Sequence, residues 1–398
     1  MMVLAMQTPK VLVVFGTRPE AIKLSPLVAE LKKRSDLETM VCLLRQQPRL
    51  AAQSLAQFGV EPEADIAFPF GNAGLFSNSL FKRIVSGFKI LWGLFRFFRL
   101  VRKERPNLIV IQGDTSTALF TALLAYHLKI RVAHVEAGLR THDKYAPFPE
   151  EMNRRLISAI ADIHFASTEA AKENLLREGI DGSSIFVTGN TVMDAVRLIA
   201  ERQENAEAEK LLDEFFRKTY NIDLSRTNGK MVFFTTHRRE SFGKEMENIM
   251  RAVKALVDEH EDVFVVYPMH PNPNVIKTAH AVFRDSQRIR FIDSVRYDRY
   301  LFLLKKAHFI ITDSGGLQEE ISYFGTPTIV ARNVTERSEG LSGGNLLLAG
   351  TDTERILEYA LRLLRDHEFH ASVSKKHAAF GDGHAAERIA KKIAEVLG

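Results

Sequence analysis

Two doubly wound α/β domains are predicted by three features of the sequence. Short β-branched runs alternate with longer amphipathic stretches, two such series follow one another, and 398 residues suffice for two cores of ordinary size. In the first series, residues 11–15 (VLVVF), 40–44 (MVCLL), 108–112 (LIVIQ), 131–135 (RVAHV), 162–166 (DIHFA) and 185–188 (IFVT) read as strands. Between them lie stretches such as PEAIKLSPLVAELKKR, whose Ile22, Leu27 and Leu31 recur at helical spacing. Repetition of this βαβ kind implies a parallel sheet. The second series is 231–236 (MVFFTT), 263–268 (VFVVYP), 289–292 (IRFI), 309–312 (FIIT) and 326–331 (TPTIVA). A polar helical stretch over 201–218 separates the two. Residues 1–193 are therefore expected to form one Rossmann-like domain and 194–380 a second, facing it across a cleft at the carboxyl ends of the strands. The last segment, 381–398, holds the amphipathic helix HAAERIAKKIAEVLG, expected to pack back on the first domain.

Bulk composition narrows the function. Hydrophobic residues at 45% and charged residues at 26% are the balance of a soluble globular protein. The formal charge of +5 and the basic run RFFRLVRKERP (96–106) come without zinc-finger spacing, an RNP motif or a heptad seam, so no nucleic-acid partner is expected; an anionic substrate fits the charge equally. Cys42 is the only cysteine, which excludes an internal disulfide and a cysteine-based zinc site. The N-terminus lacks an adequate apolar leader core, and the most apolar internal run, ILWGLF, sits between Lys89 and Arg96. A cytoplasmic protein with no stable membrane insertion is the expectation.

Phosphate chemistry is suggested at two strand ends. In FIITDSGGLQEEI, Ser314, Gly315 and Gly316 would present backbone N–H groups where a helix begins, and a helix N-terminus attracts anions through unsatisfied donors and its dipole. Glu320, one turn further on, could accept from ribose hydroxyls; a plain glycine turn made for tight packing is the competing reading. FGTRPEAIK repeats the pattern in the first series, with Gly16 read as a sharp turn, Pro19 in the first helical turn, and Arg18 and Lys23 as cations suited to a diphosphate.

Acid–base chemistry is suggested at three others. Asp114 follows LIVIQ and Glu136 ends RVAHV; each could serve only as a helix cap or turn acid. His237 follows MVFFTT beside Arg238 and Arg239. Downstream, PFPEEMNRR places Glu150 and Arg154 four residues apart on one helical face, while Glu151 points about 100° away and reads as structural.

FGTRPEAIK, GDTST, HVEAGLRT, PFPEEMNRR, TGNTVMDA, TTHRRES, TDSGGLQEE and NVTERSEG occur in the order found in the non-hydrolysing UDP-N-acetylglucosamine 2-epimerases, which this sequence resembles over roughly residues 10–395. The resemblance implies a GT-B-like fold, a homodimer, no cofactor or metal, and interconversion of UDP-GlcNAc and UDP-ManNAc. It implies catalytic roles for Asp114, Glu136, Glu150 and His237, and UDP-sugar contacts for Arg18, Lys23, Arg154, Tyr300, Ser314, Gly315, Gly316, Glu320 and Arg337. It also implies a route. A C2–H bond without an adjacent carbonyl is too weakly acidic for a side-chain base, so UDP leaves as the C2 proton is removed, giving 2-acetamidoglucal, and both are returned with the C2 proton on the opposite face. Epimerisation of a modified UDP-HexNAc and a GT-B-fold glycosyltransferase are the alternatives; a hydrolysing epimerase and a non-catalytic UDP-sugar sensor fit the motifs less well.

Two segments depart from that family. Where members carry a run like Thr-Gly-Gln-His-Arg-Glu, this chain has LRQQPR (44–49), and a later loop reads FPFGNAGLFSNSLFKR (68–83). In bacterial members these regions serve a second site at which UDP-GlcNAc activates, so weakened activation or a different sugar preference is expected. The basic, apolar helix over 80–103 is read as a buried helix of the domain, with a partner or membrane surface as the other reading.

Overall fold

The structure, a computed structural model, describes residues 8–45, 48–68, 80–224, 230–238, 241–284, 286–335 and 337–398. The chain divides into two compact units, residues 1–195 with 381–398, and residues 196–380. Among the described residues the first unit holds a seven-stranded sheet of β1 (Lys10–Phe15), β2 (Glu38–Arg45), β3 (Ala64–Ala67), β4 (Leu108–Gln112), β5 (Arg131–Ala137), β6 (Ile163–Ala166) and β7 (Ile185–Val187). The second holds β8 (Lys230–Thr235), β9 (Val263–Pro268), β10 (Ile289–Ile292), β11 (Phe309–Thr312), β12 (Thr328–Val330) and β13 (Leu346–Leu348). Every pairing is parallel.

The strand orders are β3-β2-β1-β4-β5-β6-β7 and β10-β9-β8-β11-β12-β13. Both reverse direction beside their first strand, between β1 and β4 and between β8 and β11. That reversal parts the flanking loops and opens a crevice at the carboxyl ends, where ligands of such sheets bind. The loops after β1, β4, β8 and β11 are those carrying FGTRPE, GDTST, TTHRRE and TDSGG.

Alternation along the strands places apolar side chains on both faces. Val11, Val13 and Phe15 of β1 join Leu24 and Val28 of the helix Arg18–Lys32 and Ile389 and Ile393 of the helix Ala385–Leu397 on one face. Leu12 and Val14 join Ile90, Phe97 and Val101 of the helix Leu80–Glu104 and Ala122 of the helix Ser116–His127 on the other. Two covered faces are why the strands read as continuous apolar runs. In the second unit Val232, Phe234, Val265, Ile311 and Ile329 pack against the helices Lys244–Glu259 and Thr353–Arg365. Each such fully buried side chain contributes about 1.5–3 kcal/mol. The polar stretch over 201–218 is not one helix: Thr191–Gln203 ends and Ala206–Tyr220 begins, with the Asn205 side chain capping Glu207 N at 2.8 Å.

Two buried histidines lie opposite each other on β5 and β6, His134 against His164. His134 Nε2 donates to Gly113 O at 2.8 Å and His164 Nε2 to Ser158 O at 3.0 Å, which fixes both tautomers. Burial pushes His134 from 6.5 down to about 3 and lowers His164 as well. His134 is neutral in the fold down to about pH 3 and takes up a proton once unfolded below about pH 6.5; the shift of His164 has the same sign. A depressed folded pKa gives stability that is present above the unfolded value and lost as pH falls towards the folded one. Unfolding free energy should therefore drop between about pH 6.5 and pH 3, by up to roughly 1.4 kcal/mol per pH unit for His134. Urea titrations across that range should show the drop, with a shallower slope for His134→Gln; equal slopes would exclude His134 as its source.

Candidate active site

In the first unit the site is built from the loop after β1 outward. Thr17 caps the helix Arg18–Lys32, and the Glu20 carboxylate reaches back to Thr17 N at 2.7 Å, the reciprocal half of a capping box. It also accepts from Gly16 N at 3.0 Å, Thr17 Oγ1 at 2.7 Å and Thr115 Oγ1 at 2.8 Å, so it ties the loop after β1 to the loop after β4. Burial pushes Glu20 above the usual carboxylate range, against the pull of those donors. Gly16 is required for close approach rather than for a turn. It has no left-handed backbone, but a Cβ there would lie 2.7 Å from Thr117 Oγ1. Arg18 opens the helix and is half-buried.

Glu136 stands at a bulge near the end of β5, where the pairing with β6 slips between Val135 and Ala137. Its φ is +63°. A left-handed backbone costs a non-glycine residue about 1–3 kcal/mol, so the surrounding structure must hold it. It does so from two sides: Lys23 Nζ and Gln112 Nε2 each donate to Glu136 Oε2 at 2.5 Å. The Lys23 assigned to a diphosphate from its motif thus has a carboxylate partner.

Asp114 is released from the capping role open to it, because Thr115 caps the helix Ser116–His127 by accepting from Ala118 N at 3.1 Å. Its Oδ2 instead accepts from Arg154 Nε at 2.8 Å and Nη2 at 2.7 Å, and its carbonyl accepts from Asn153 Nδ2 at 2.8 Å. The helix Glu150–Ile160 enters after cis bonds at Ala146–Pro147 and Phe148–Pro149. Glu150 lies half-buried at its start. Glu151 is fully buried and accepts from Thr141 N at 3.1 Å, His142 N at 3.2 Å, Arg154 Nη1 at 3.2 Å and Arg155 Nη2 at 3.3 Å. It pins the loop before its own helix and steadies the guanidinium that holds Asp114. In the first unit the structure thus joins Lys23 to Glu136 and Arg154 to Asp114.

In the second unit the organising group is Asp313, fully buried at the end of β11. Its Oδ2 accepts from Thr236 Oγ1 at 2.8 Å, His237 N at 3.0 Å and Arg238 N at 3.0 Å, binding the loop after β8 to the loop after β11. His237 Nδ1 lies 3.7 Å from Asp313 Oδ1. The His237 ring stacks on His270, with centroids 5.3 Å apart. Burial, and next the neighbouring His237, lower the His270 pKa. Arg239 lies outside the described residues.

Ser314 stands at the N-cap of the helix Gly315–Phe324, so the amides of Gly315 and Gly316 open that helix as its motif predicts. A Cβ on Gly316 would meet no protein atom within 4 Å. Tight packing therefore does not explain that glycine. Glu320 accepts from Tyr297 OH and Tyr300 OH, both at 2.9 Å, so two residues singled out separately, Tyr300 and Glu320, are in contact. Arg337 is buried, and its Nε donates to buried Glu319 Oε1 at 3.0 Å.

Glu20, Gln112, Asp313, Glu319, Tyr297 and His270 escaped the sequence reading. Only Glu20 had a local signal, the Thr17-x-x-Glu20 spacing of a capping box. Of the two departing segments, Arg45 pairs with Asp65 at 2.5 Å, while Gln46, Gln47 and residues 69–79 lie outside the described residues. No group of three His, Cys, Asp or Glu side chains arranged to hold a metal occurs among the described residues.

Known proteins are similar to this chain over nearly its whole length. The sequence profile of the family described as UDP-N-acetylglucosamine 2-epimerase matches residues 29–394. The UDP-N-acetylglucosamine 2-epimerase of Bacillus subtilis is 40% identical over 388 residues, covering 98% of this chain and 96% of that protein. That of Escherichia coli K12 is 40% identical over 384 residues, covering 96% and 98%. The crystal structure of a Neisseria meningitidis UDP-GlcNAc 2-epimerase bound to UDP-GlcNAc superposes with a TM-score of 0.86 at 33% identity, over 97% of this chain and 100% of that one. Two parallel sheets of matching fold, eight motifs in family order and full-length identity of this size lead to one assignment: the chain belongs to the UDP-N-acetylglucosamine 2-epimerase family, and it is an isomerase.

Proposed function

We propose that the protein interconverts UDP-GlcNAc and UDP-ManNAc by eliminating and re-adding UDP. The observation that carries this reading is the pair of carboxylates at the carboxyl ends of adjacent strands β4 and β5, each held by a cation: Asp114 by Arg154 and Glu136 by Lys23. A carboxylate so placed can accept a proton or stabilise positive charge. In the forward step one carboxylate takes the C2 proton, the C–H electrons form the C1=C2 bond, and the C1–O electrons leave with UDP. In the return step C2 is protonated from the opposite face and a diphosphate oxygen attacks C1. Asp114, Glu136 and Glu150 are assigned the proton and charge work at the sugar, and His237 the leaving phosphate oxygen.

Arg18, Arg154 and Arg337 supply cations, and the amides at Ser314, Gly315 and Gly316 the helix N-terminus, for the diphosphate. Lys23 joins that set while holding Glu136. Glu320, presented by Tyr300, is assigned to the ribose. A cytoplasmic homodimer working without cofactor or metal, and supplying UDP-ManNAc to polysaccharide synthesis, belongs to the same reading through the family resemblance. Incubation with UDP-GlcNAc in deuterated water, followed by NMR, tests it. UDP-ManNAc with deuterium at C2 is expected; free ManNAc would point to hydrolysis instead, and a sugar left unchanged would overturn the proposal.

A further inference from the structure

Gln112 interrupts a strand of leucine, isoleucine and valine: β4 reads LIVIQ, and every residue in it is buried. Alternation puts Gln112 on the side of Leu108 and Val110, the side covered by the helix Arg18–Lys32 that carries Lys23. A buried amide costs free energy unless it is hydrogen-bonded, so packing alone gives no reason for glutamine there. Its partner is a single atom. Gln112 Nε2 donates to Glu136 Oε2 at 2.5 Å, where Lys23 Nζ also arrives at 2.5 Å. Among the described residues no hydrogen bond reaches Glu136 Oε1. Asp114 repeats the pattern: Arg154 Nε and Nη2 both meet its Oδ2, at 2.8 and 2.7 Å, and among the described residues none meets Oδ1.

The two donors on Glu136 differ in what they can fix. The Lys23 ammonium is a point charge with rotatable donors on a flexible four-carbon stem, so it holds an oxygen but not the plane of a carboxylate. The Gln112 amide is planar and stands on a shorter stem at the end of β4, the central strand of seven, paired in register beside Val135. Glu136 needs such a hold, because it sits in left-handed backbone at the bulge after Val135. Donors converging on one oxygen from β4 and from the helix Arg18–Lys32 stop the carboxylate from turning about its last bond and exchanging its oxygens. We propose that Gln112 is a positioning residue: it locks Glu136 Oε2 to the protein and so makes Oε1 the oxygen that exchanges the proton with substrate. On the face of C2 that Glu136 serves, the proton passes to Oε1, the C–H electrons form C1=C2, and UDP leaves with the C1–O pair; the return step reverses each transfer. Asp114 works through Oδ1 by the same geometry. The proposal rests on the elimination reading of this site.

Gln112→Leu removes the donor at nearly constant volume. Deuterium incorporation at C2 from deuterated water should then slow about 10–100-fold in kcat, while KM and the affinity for UDP change by less than about threefold and the urea midpoint holds. Gln112→His offers an imidazole N–H at a similar reach and should recover much of the lost rate. A role confined to packing predicts the opposite ranking, since leucine suits a buried strand better than histidine. If Gln112 acts through Glu136, adding Gln112→Leu to Glu136→Gln should slow the reaction by less than about twofold further. A native kcat in Gln112→Leu, equal losses in the leucine and histidine variants, or a loss that multiplies in the double variant would each overturn the role of Gln112 while leaving the elimination reading intact. A native chain that places no deuterium at C2 would remove both.

Discussion

Glu136→Gln is expected to slow deuterium incorporation at C2 by about 10²–10⁴-fold, the range for losing a positioned acid or base. The amide keeps the volume and can still accept from Lys23 or Gln112, so the bulge at Val135–Ala137 should persist and the affinity for UDP should change by less than about tenfold. A fall confined to kcat, with KM nearly unmoved, distinguishes loss of proton transfer from loss of binding. Retention of more than about a tenth of the rate would remove Glu136 from the proton path. Comparison with Glu150→Gln and Asp114→Asn, with solvent deuterium followed separately in each direction, would then show which carboxylate serves which face of C2.

Glu151→Ala is expected to destabilise the first unit by about 3–5 kcal/mol. Removing one partner of a buried ionic network leaves the rest uncompensated, here the Arg154 and Arg155 guanidinium groups and the amides of Thr141 and His142. Urea unfolding followed by circular dichroism should show the midpoint falling, and Glu151→Gln should recover part of the loss. Activity should fall further than stability explains, because Arg154 also holds Asp114. A midpoint within error of the native chain would show that the loop before the helix Glu150–Ile160 is held by other means.

The fold was legible in the sequence to the extent that burial has a period. Strands covered on both faces read as continuous β-branched runs, and β4, β9, β10 and β11 lie where the runs predict them. β3 and β13 were missed; both are edge strands in which a single residue, Ile66 or Leu346, is buried, so neither is a run covered on both faces. The break at Asn205 was overlooked although its capping side chain is visible in the sequence. Placing site residues at strand ends required only local pattern, which is why Asp114, Glu136, His237 and Ser314 stand out in the sequence.

By itself, the sequence determined the periodicity of the strands and helices, the glycines and caps that begin several of the helices, and the motif order that marks the family. Only the tertiary structure decided who holds whom. Lys23 meets Glu136 across 113 residues, Arg154 meets Asp114 across 40, and His237 meets Asp313 across 76. Nothing in the spacing of either partner encodes those meetings. They follow from parallel registers that bring the ends of β1, β4 and β5, and of β8 and β11, side by side. The same holds for the left-handed backbone of Glu136 and for the helix Leu80–Glu104, read from sequence as buried but covered on one side only. A helical pattern says that two faces are apolar; the packing of Gly93 on Ala67 says which of them is left outside, the one with Phe88, Leu91, Trp92 and Phe95.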